Sequence, residues 1–311
     1  MIPKDGRLQA RLQNQLWNFI EELTIRSAAI LIFSLMAYPV NGQDGAESPV
    51  LTPDSSNEAI RNHMLHHELN GTQTGALAEH FPDLGRERAY AVQRSRLIES
   101  RKTDEHVGWK LGWTRKASSD EVLDPIVGHY MSERVYKEGT PVSTRYFTYD
   151  EARAEPEIVF YLKHDLPGPV VTRDELIAAI DSVGIAMEFV GFRATLPASR
   201  EHAIVDNGIA VGVVLADKRY NLADLKFADI DGRVTVNGDE TNHGSTTSIM
   251  GEDPIAGLLW AANELPKWGM HLRAGEFVVS GTVCEPLIVS TGDNATIEFT
   301  GMGSLHVDLI R

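Results

Sequence analysis

Three glutamates offer most of the chemistry in this sequence. Glu155 and Glu157 stand two positions apart in EARAEPEIVFYL, residues 151–162. Side chains at i and i+2 of an extended segment share a face, so the two acids stand side by side while Ile158 and Phe160 take the other face. Alone, the pair fits a solvated edge strand, where Pro156 is tolerated because an edge needs no donor at that position. Glu188 sits in harsher surroundings. It occupies the centre of GIAMEFVGF, residues 184–192, an apolar run in which an ionised carboxylate is costly unless paired, protonated or bound to a metal. Arg193 is one partner within reach of the chain, and the wetter face of a one-sided strand is another escape. Taken together, the three acids supply hard oxygen ligands that suit an octahedral Mg2+ or Mn2+ with positions left open for a chelating substrate.

The elements that must position these acids follow from period and punctuation. Thr172-Arg173-Asp174-Glu175 reads as a capping box that opens the helix LIAAIDSV, with Leu176, Ile177, Ile180 and Val183 as its buried stripe. A second helix, DPIAGLLWAANELPKWG, starts at Asp253 as N-cap with Pro254 in the first turn, and ends near Gly269. Helical period also marks 57–69 and 86–101, the latter with Ala89, Val92 and Leu97 along one stripe. His63, His66 and His67 have i, i+3, i+4 spacing, which a transition metal could use, although a solvated helix face is the ordinary outcome. From residue 107 onward, VGWKLGWT, PVSTRYFTY, EIVFYL, GIAMEFVGF, GIAVGVVLA, RVTVNG, EFVVSGTV, LIVSTGD, ATIEFTG and SLHVDLI read as short strands separated by turn residues. Many strands with few helices predict an α+β protein with a β-rich core. Gly301-Met302-Gly303 lies between strands and is a turn, not a dinucleotide fingerprint.

The 311 residues are 42% hydrophobic, enough for a substantial core, and carry a net charge of −15. With no Lys/Arg run, that charge argues against nucleic acid and anionic membrane surfaces as partners. The single cysteine, Cys284, excludes an intramolecular disulfide framework and reads as a small buried hydrophobe. SAAILIFSLMAYPV, followed by Val40-Asn41-Gly42, has the form of an export signal cleaved after Gly42, and such a segment leaves no membrane span after processing. Glu21 and Glu22 in the leader depart from that pattern, and an uncleaved anchor helix is the rival reading. Residues 43–56 are polar and rich in Ser and Pro, as expected of a mobile linker.

The order and spacing of several blocks resemble the 2-keto-4-pentenoate hydratase and 4-oxalocrotonate decarboxylase group of the fumarylacetoacetate hydrolase superfamily. The blocks are AYAVQR, GWKLGWT, AEPEIVF, AMEFV, DNGIAVG, DPIAGLLWAANEL, LRAGEFVVSGT and PLIVSTGD. The resemblance implies a mixed β-roll core of fumarylacetoacetase type over 151–311, preceded by a helical and αβ segment over 57–150. It also implies a dication on Glu155, Glu157 and Glu188, an active-site Lys110, and a pocket lined by Asn207, Gly281 and Thr282. The implied substrate is a small 2-hydroxydienoate or 2-oxo-enoate, the implied reaction hydration or decarboxylation, and the implied assembly a homo-oligomer. Two departures stand out. Pro125-Ile126-Val127-Gly128 puts isoleucine where the group carries an acid, with His129 and Asp124 as nearby substitutes, and Asp206-Asn207-Gly208-Ile209 lacks a serine. These departures, with the export signal, keep open a third reading, a non-catalytic oxo-acid binder.

Overall fold

The computed structural model describes residues 48–115 and 123–311. The expected leader, residues 1–42, and the first residues of the expected linker lie outside them. Three helices come first: α1 (Asn57–Asn70), α2 (Leu77–His80) and α3 (Arg86–Ser100). Ser56 caps α1 by accepting from the Ala59 amide, and Ala89, Val92 and Leu97 are buried along α3 as their spacing requires. Residues 48–56 pack instead of trailing: Leu51 is buried and Ser48 bonds the His63 ring at 2.8 Å.

The strands β1 (His106–Gly112), β2 (Ile126–Met131), β3 (Val135–Lys137), β4 (Val142–Ser143) and β5 (Glu151–Leu162) follow. Next come α4 (Arg173–Ala179), β6 (Ile180–Val190), α5 (Arg200–Val205), β7 (Ala210–Leu215), β8 (Asp231–Val236) and β9 (Glu240–Ser245). The chain continues through α6 (Pro254–Glu264), β10 (Phe277–Thr282), β11 (Leu287–Ser290), β12 (Asn294–Phe299) and β13 (Gly303–Ile310). The capping box at Thr172/Glu175 forms, as does the Asp253 cap of α6, and Gly269 closes the last turn after it.

The helix after the capping box is shorter than its sequence suggests. It stops at Ala179, and Ile180 and Val183 are buried as strand residues while Ile177 is left exposed. The long antiparallel pairing of β6 with β5, which reaches from Val190 back to Ile180, wins over local helical period.

Among the described residues the strands form two sheets. One is mixed and ordered β2-β1-β10-β5-β6-β7-β3, with β11 also paired to β5; the other is β4-β13-β12-β8-β9. β1 and β2 pair in the sheet that carries β5, so this sheet runs across residue 150. The architecture is α+β, as expected, and the larger sheet is strongly curled. The Tyr130 hydroxyl of β2 reaches Glu188 of β6 at 2.5 Å and the Gly212 carbonyl of β7 at 3.4 Å, although β1, β10 and β5 lie between them in strand order.

The two faces of the curl have different contents. Trp109, Ile158, Phe160, Met187 and Phe189 join the main core on the outer face. Tyr130, Val159, Ala186, Val213, Phe277 and Val279 form a smaller cluster inside it. Alternation along β5 and β6 therefore puts the three glutamates on the inner face. The histidines of α1 hold local contacts: His63 bonds Thr74 at 2.5 Å, His67 bonds Thr72 at 2.9 Å, and the His66 ring lies edge-on to that of His67. Cys284 is buried, and burial pushes its thiol up to about 12. No helix among the described residues is long and apolar enough to cross a membrane.

Candidate metal centre

Strand register assembles the acids. Glu155 on β5 is directly opposite Glu188 on β6, and Glu157 lies one alternation further along the same face. Their carboxylate oxygens come within 4.8 Å of one another. Glu157 and Glu188 are fully buried, and Glu155 marks the more open end.

Each buried acid has one oxygen fixed and one left over. The Gly281 amide donates to Glu157 Oε2 at 2.8 Å, while Glu157 Oε1 has no hydrogen-bond partner. Tyr130 donates to Glu188 Oε1, while Glu188 Oε2 lacks a hydrogen-bond partner and has only the Lys110 ammonium beside it at 3.3 Å. The Gly281 amide is aimed by an irregularity in the β10–β5 pairing between Val279 and Thr282. Gly281 adopts φ 93°, and a Cβ there would collide with the Thr114 hydroxyl, so only glycine fits. Ser280 stabilises the same irregularity by accepting from the Ile158 amide at 3.2 Å.

Lys110 reaches the acids from β1 along a slot made by two glycines. A Cβ on Gly128 would lie 2.9 Å from Lys110 Cγ, and one on Gly208 would lie 3.0 Å from Cδ. The ammonium donates to the Gly208 carbonyl at 3.1 Å. That carbonyl is presented by three successive left-handed residues, Asn207, Gly208 and Ile209. Such a run is strained for non-glycine residues and needs external support. Arg193 supplies it: Nε bonds Asp206 Oδ1 at 2.5 Å and Nη1 bonds the Ala210 carbonyl at 3.0 Å, bracketing the run. Arg193 is thus committed to Asp206 and does not pair with Glu188.

The remaining expected residues fall into place unevenly. Asn207 engages β2 with both ends of its amide, accepting from the His129 amide and donating to the His129 carbonyl, each at 2.9 Å. These two bonds tie it to the strand. Thr282 is opposite Glu157 in register, but its hydroxyl donates to the Cys284 carbonyl at 2.9 Å. Ile126 is buried on the face that carries Lys110 and Tyr130, beside Gly112. Neither acid substitute considered for it reaches the site. His129 points to the outer face against Trp109, and Asp124 is ion-paired with Arg86.

Electrostatics mark the cluster as short of positive charge. Burial, with the charge of Glu188, lifts Glu155 to about 8 against the pull of Lys110. Burial and the two neighbouring acids push Glu157 well above the carboxylate range. Burial opposes the charge on Lys110, but the three carboxylates outweigh it and raise its pKa. Ionised, three acids and one ammonium sum to −3 + 1 = −2, the charge that one dication cancels. The residues therefore fit a hard divalent ion by donor type, spacing and charge.

Tyr130 is the residue that sequence reasoning missed. Burial and Glu188 push its phenol well above its ordinary range, so it remains a hydrogen-bond donor. Its only sequence signal is position: residues 126, 128 and 130 of one strand share the Lys110 face, once that strand is recognised.

Residues 102–310 match the fumarylacetoacetate (FAA) hydrolase C-terminal family, and the chain belongs to that family. It is 29% identical over 248 residues to the 2-hydroxyhexa-2,4-dienoate hydratase of Comamonas testosteroni, covering 78% of this chain and 94% of that one. It is 27% identical over 251 residues to the 2-oxo-hept-4-ene-1,7-dioate hydratase of Escherichia coli, covering 76% and 92%. Among solved structures, the 4-oxalocrotonate decarboxylase from Pseudomonas putida G7, complexed with magnesium and adipate, is similar with a TM-score of 0.75 at 25% identity. That likeness covers 82% of this chain and 97% of the other.

Proposed function

We propose that this protein is a divalent-metal-dependent lyase, a hydratase of a small 2-hydroxydienoate or 2-oxo-enoate. The observation that carries the reading is the cluster of three glutamates with two oxygens left without hydrogen-bond partners and a charge of −2 when ionised. Support comes from the relatives named as hydratases of such acids and from a similar structure complexed with magnesium. Glu155, Glu157 and Glu188 would hold Mg2+ or Mn2+. When bound, the ion supplies a Lewis acid that stabilises negative charge on a chelated carboxylate and 2-oxygen.

The chain's own groups account for the rest. Lys110 is the group placed to move a proton or to hold the substrate carboxylate. Its pKa is raised by the three acids, so their neutralisation leaves burial dominant and brings the amine down toward the range that proton transfer needs. Tyr130 and Gly281 keep Glu188 and Glu157 in fixed orientation. Asn207 and Thr282 act on the walls of the site through the backbone groups they bind, and Gly281 of β10 presents its amide to Glu157. Hydration adds the elements of water across the distal alkene after a proton has moved within the dienol.

Ile126 favours decarboxylation of a 4-oxalocrotonate-type acid as the second reading, because loss of CO2 asks for no activated water beside Lys110. The same reading of the chain includes a homo-oligomeric assembly and an export leader in 1–42. Turnover of 2-hydroxypenta-2,4-dienoate with Mg2+ or Mn2+ is the test, with the hydrated product followed by NMR and CO2 release from oxalocrotonate followed in parallel. Hydrated product supports the first reading and CO2 the second. Tight metal-dependent ligand binding without either product would contradict both and leave a binding protein.

A further inference from the structure

A cavity of about 430 Å3 lies outside the carboxylate cluster, where α1 and α3 cover the seam between β2 and β7. Its walls include Glu68, Arg96, His129, Tyr130, Arg134 and Asn207. Arg96 and Arg134 are 3% and 5% exposed, which is rare for guanidinium groups unless they are fully paired. Here they share one carboxylate. Arg96 is ion-paired with Glu68 Oε2, and Arg134 Nη2 lies 3.5 Å from Glu68 Oε1. Arg96 Nε and Nη1 and Arg134 Nη1 have no acceptor.

The other acids near the cavity do not supply the missing charge deep inside it. Glu99 takes Lys102 at 2.9 Å, and Asp104 accepts from Ser132 at 2.5 Å and from the Glu133 amide at 3.1 Å. Glu133 is mostly exposed and stands 3.6 Å from Arg134 Nε. Asp206, the next acid inward, is committed to Arg193. The imbalance is visible in the arginines. Burial, with the charge of Arg193, pulls Arg96 down to about 9, and burial pulls Arg134 to about 10.

We infer that this cavity is a binding site for a small oxyanion, a carboxylate or phosphate group received by the free N–H groups of Arg96 and Arg134. An anion of this kind satisfies three buried nitrogens at once, which Glu68, the exposed Glu133 and the Tyr146 ring against Arg134 leave without an acceptor. The site is separate from the metal cluster and independent of the reaction proposed above. Tyr130 lines this cavity and also bonds Glu188, so occupancy bears on the same strand that positions the acids.

The test is calorimetric titration of the full chain with inorganic phosphate and, separately, with acetate, at constant ionic strength in chloride and both with and without Mg2+. One saturable site is expected without Mg2+, and it should persist unchanged with Mg2+ beside any further binding at the metal centre. Phosphate alone or acetate alone binding would support the site and identify the oxyanion. Arg96→Lys keeps the charge but loses the fork, and should weaken binding by about tenfold or more. Glu68→Gln removes the competing negative charge and should strengthen it, which provides a readout that misfolding cannot imitate. Absence of saturable binding, unchanged affinity in Arg96→Lys, or binding that requires Mg2+ would overturn the inference.

Discussion

The raised pKa of Glu155 makes the metal-free protein lose stability in alkali, and the sign can be worked out. A carboxyl whose folded pKa exceeds its unfolded value binds its proton more tightly when folded. Stability present below the ordinary 4.5 is then lost as pH rises through about 8. Histidines complicate the acid side of this window. His63, His67 and His129 are held below their ordinary 6.5 by burial, so their contribution rises with pH and is complete about one unit above 6.5. Between pH 6.5 and 8 each still adds about 0.4 kcal/mol in the opposite sense, because half of each unfolded imidazole is protonated at 6.5, and the acids set the larger part of the slope. Over those 1.5 units, at about 1.4 kcal/mol per unit for one proton, Glu155 should cost about 2 kcal/mol, and Glu157 adds in the same direction. Urea unfolding in EDTA at pH 6.5, 7.25 and 8 should show this fall, and Glu155→Gln should flatten it. Saturating Mg2+ should abolish the slope and raise stability at pH 8. A flat or rising profile in EDTA, or the same slope in Glu155→Gln, would refute the account of a charge-starved cluster.

Two further substitutions separate the supporting groups. Tyr130→Phe removes the hydrogen bond to Glu188 Oε1 while keeping the ring, and should weaken Mg2+ binding by about tenfold with the fold intact by circular dichroism. Lys110→Met keeps the stem in its glycine slot but removes the ammonium. Turnover should fall by roughly 100-fold or more while Mg2+ still binds, as measured by steady-state kinetics beside a metal titration.

The legible part of this protein was the part set by local rules. Spacing at Glu155 and Glu157 fixed a shared face, and the apolar surroundings of Glu188 demanded compensation, so both statements needed no knowledge of distant contacts. Caps at Thr172 and Asp253 were equally local. What escaped was set by pairing between remote segments. Ile180 and Val183 follow helical period but join β6 because β5 offers a long partner. The strand containing Tyr130 is interrupted by Gly128 and His129, so it does not read as a strand, and its partner Glu188 lies 58 positions away. Family resemblance pointed to Asn207 and Thr282, but could not say that their polar groups bond the backbone of His129 and Cys284.

Manganese titration followed by electron paramagnetic resonance, on the wild type and on Glu188→Gln, tests the central claim most directly. The substitution is isosteric and preserves an acceptor for Tyr130, so it removes charge with little loss of shape. The account predicts a single ion per chain in the wild type, displaced by Mg2+, and affinity about 100-fold weaker in Glu188→Gln. Equal affinity in the two proteins, or no specific ion in the wild type, would contradict it.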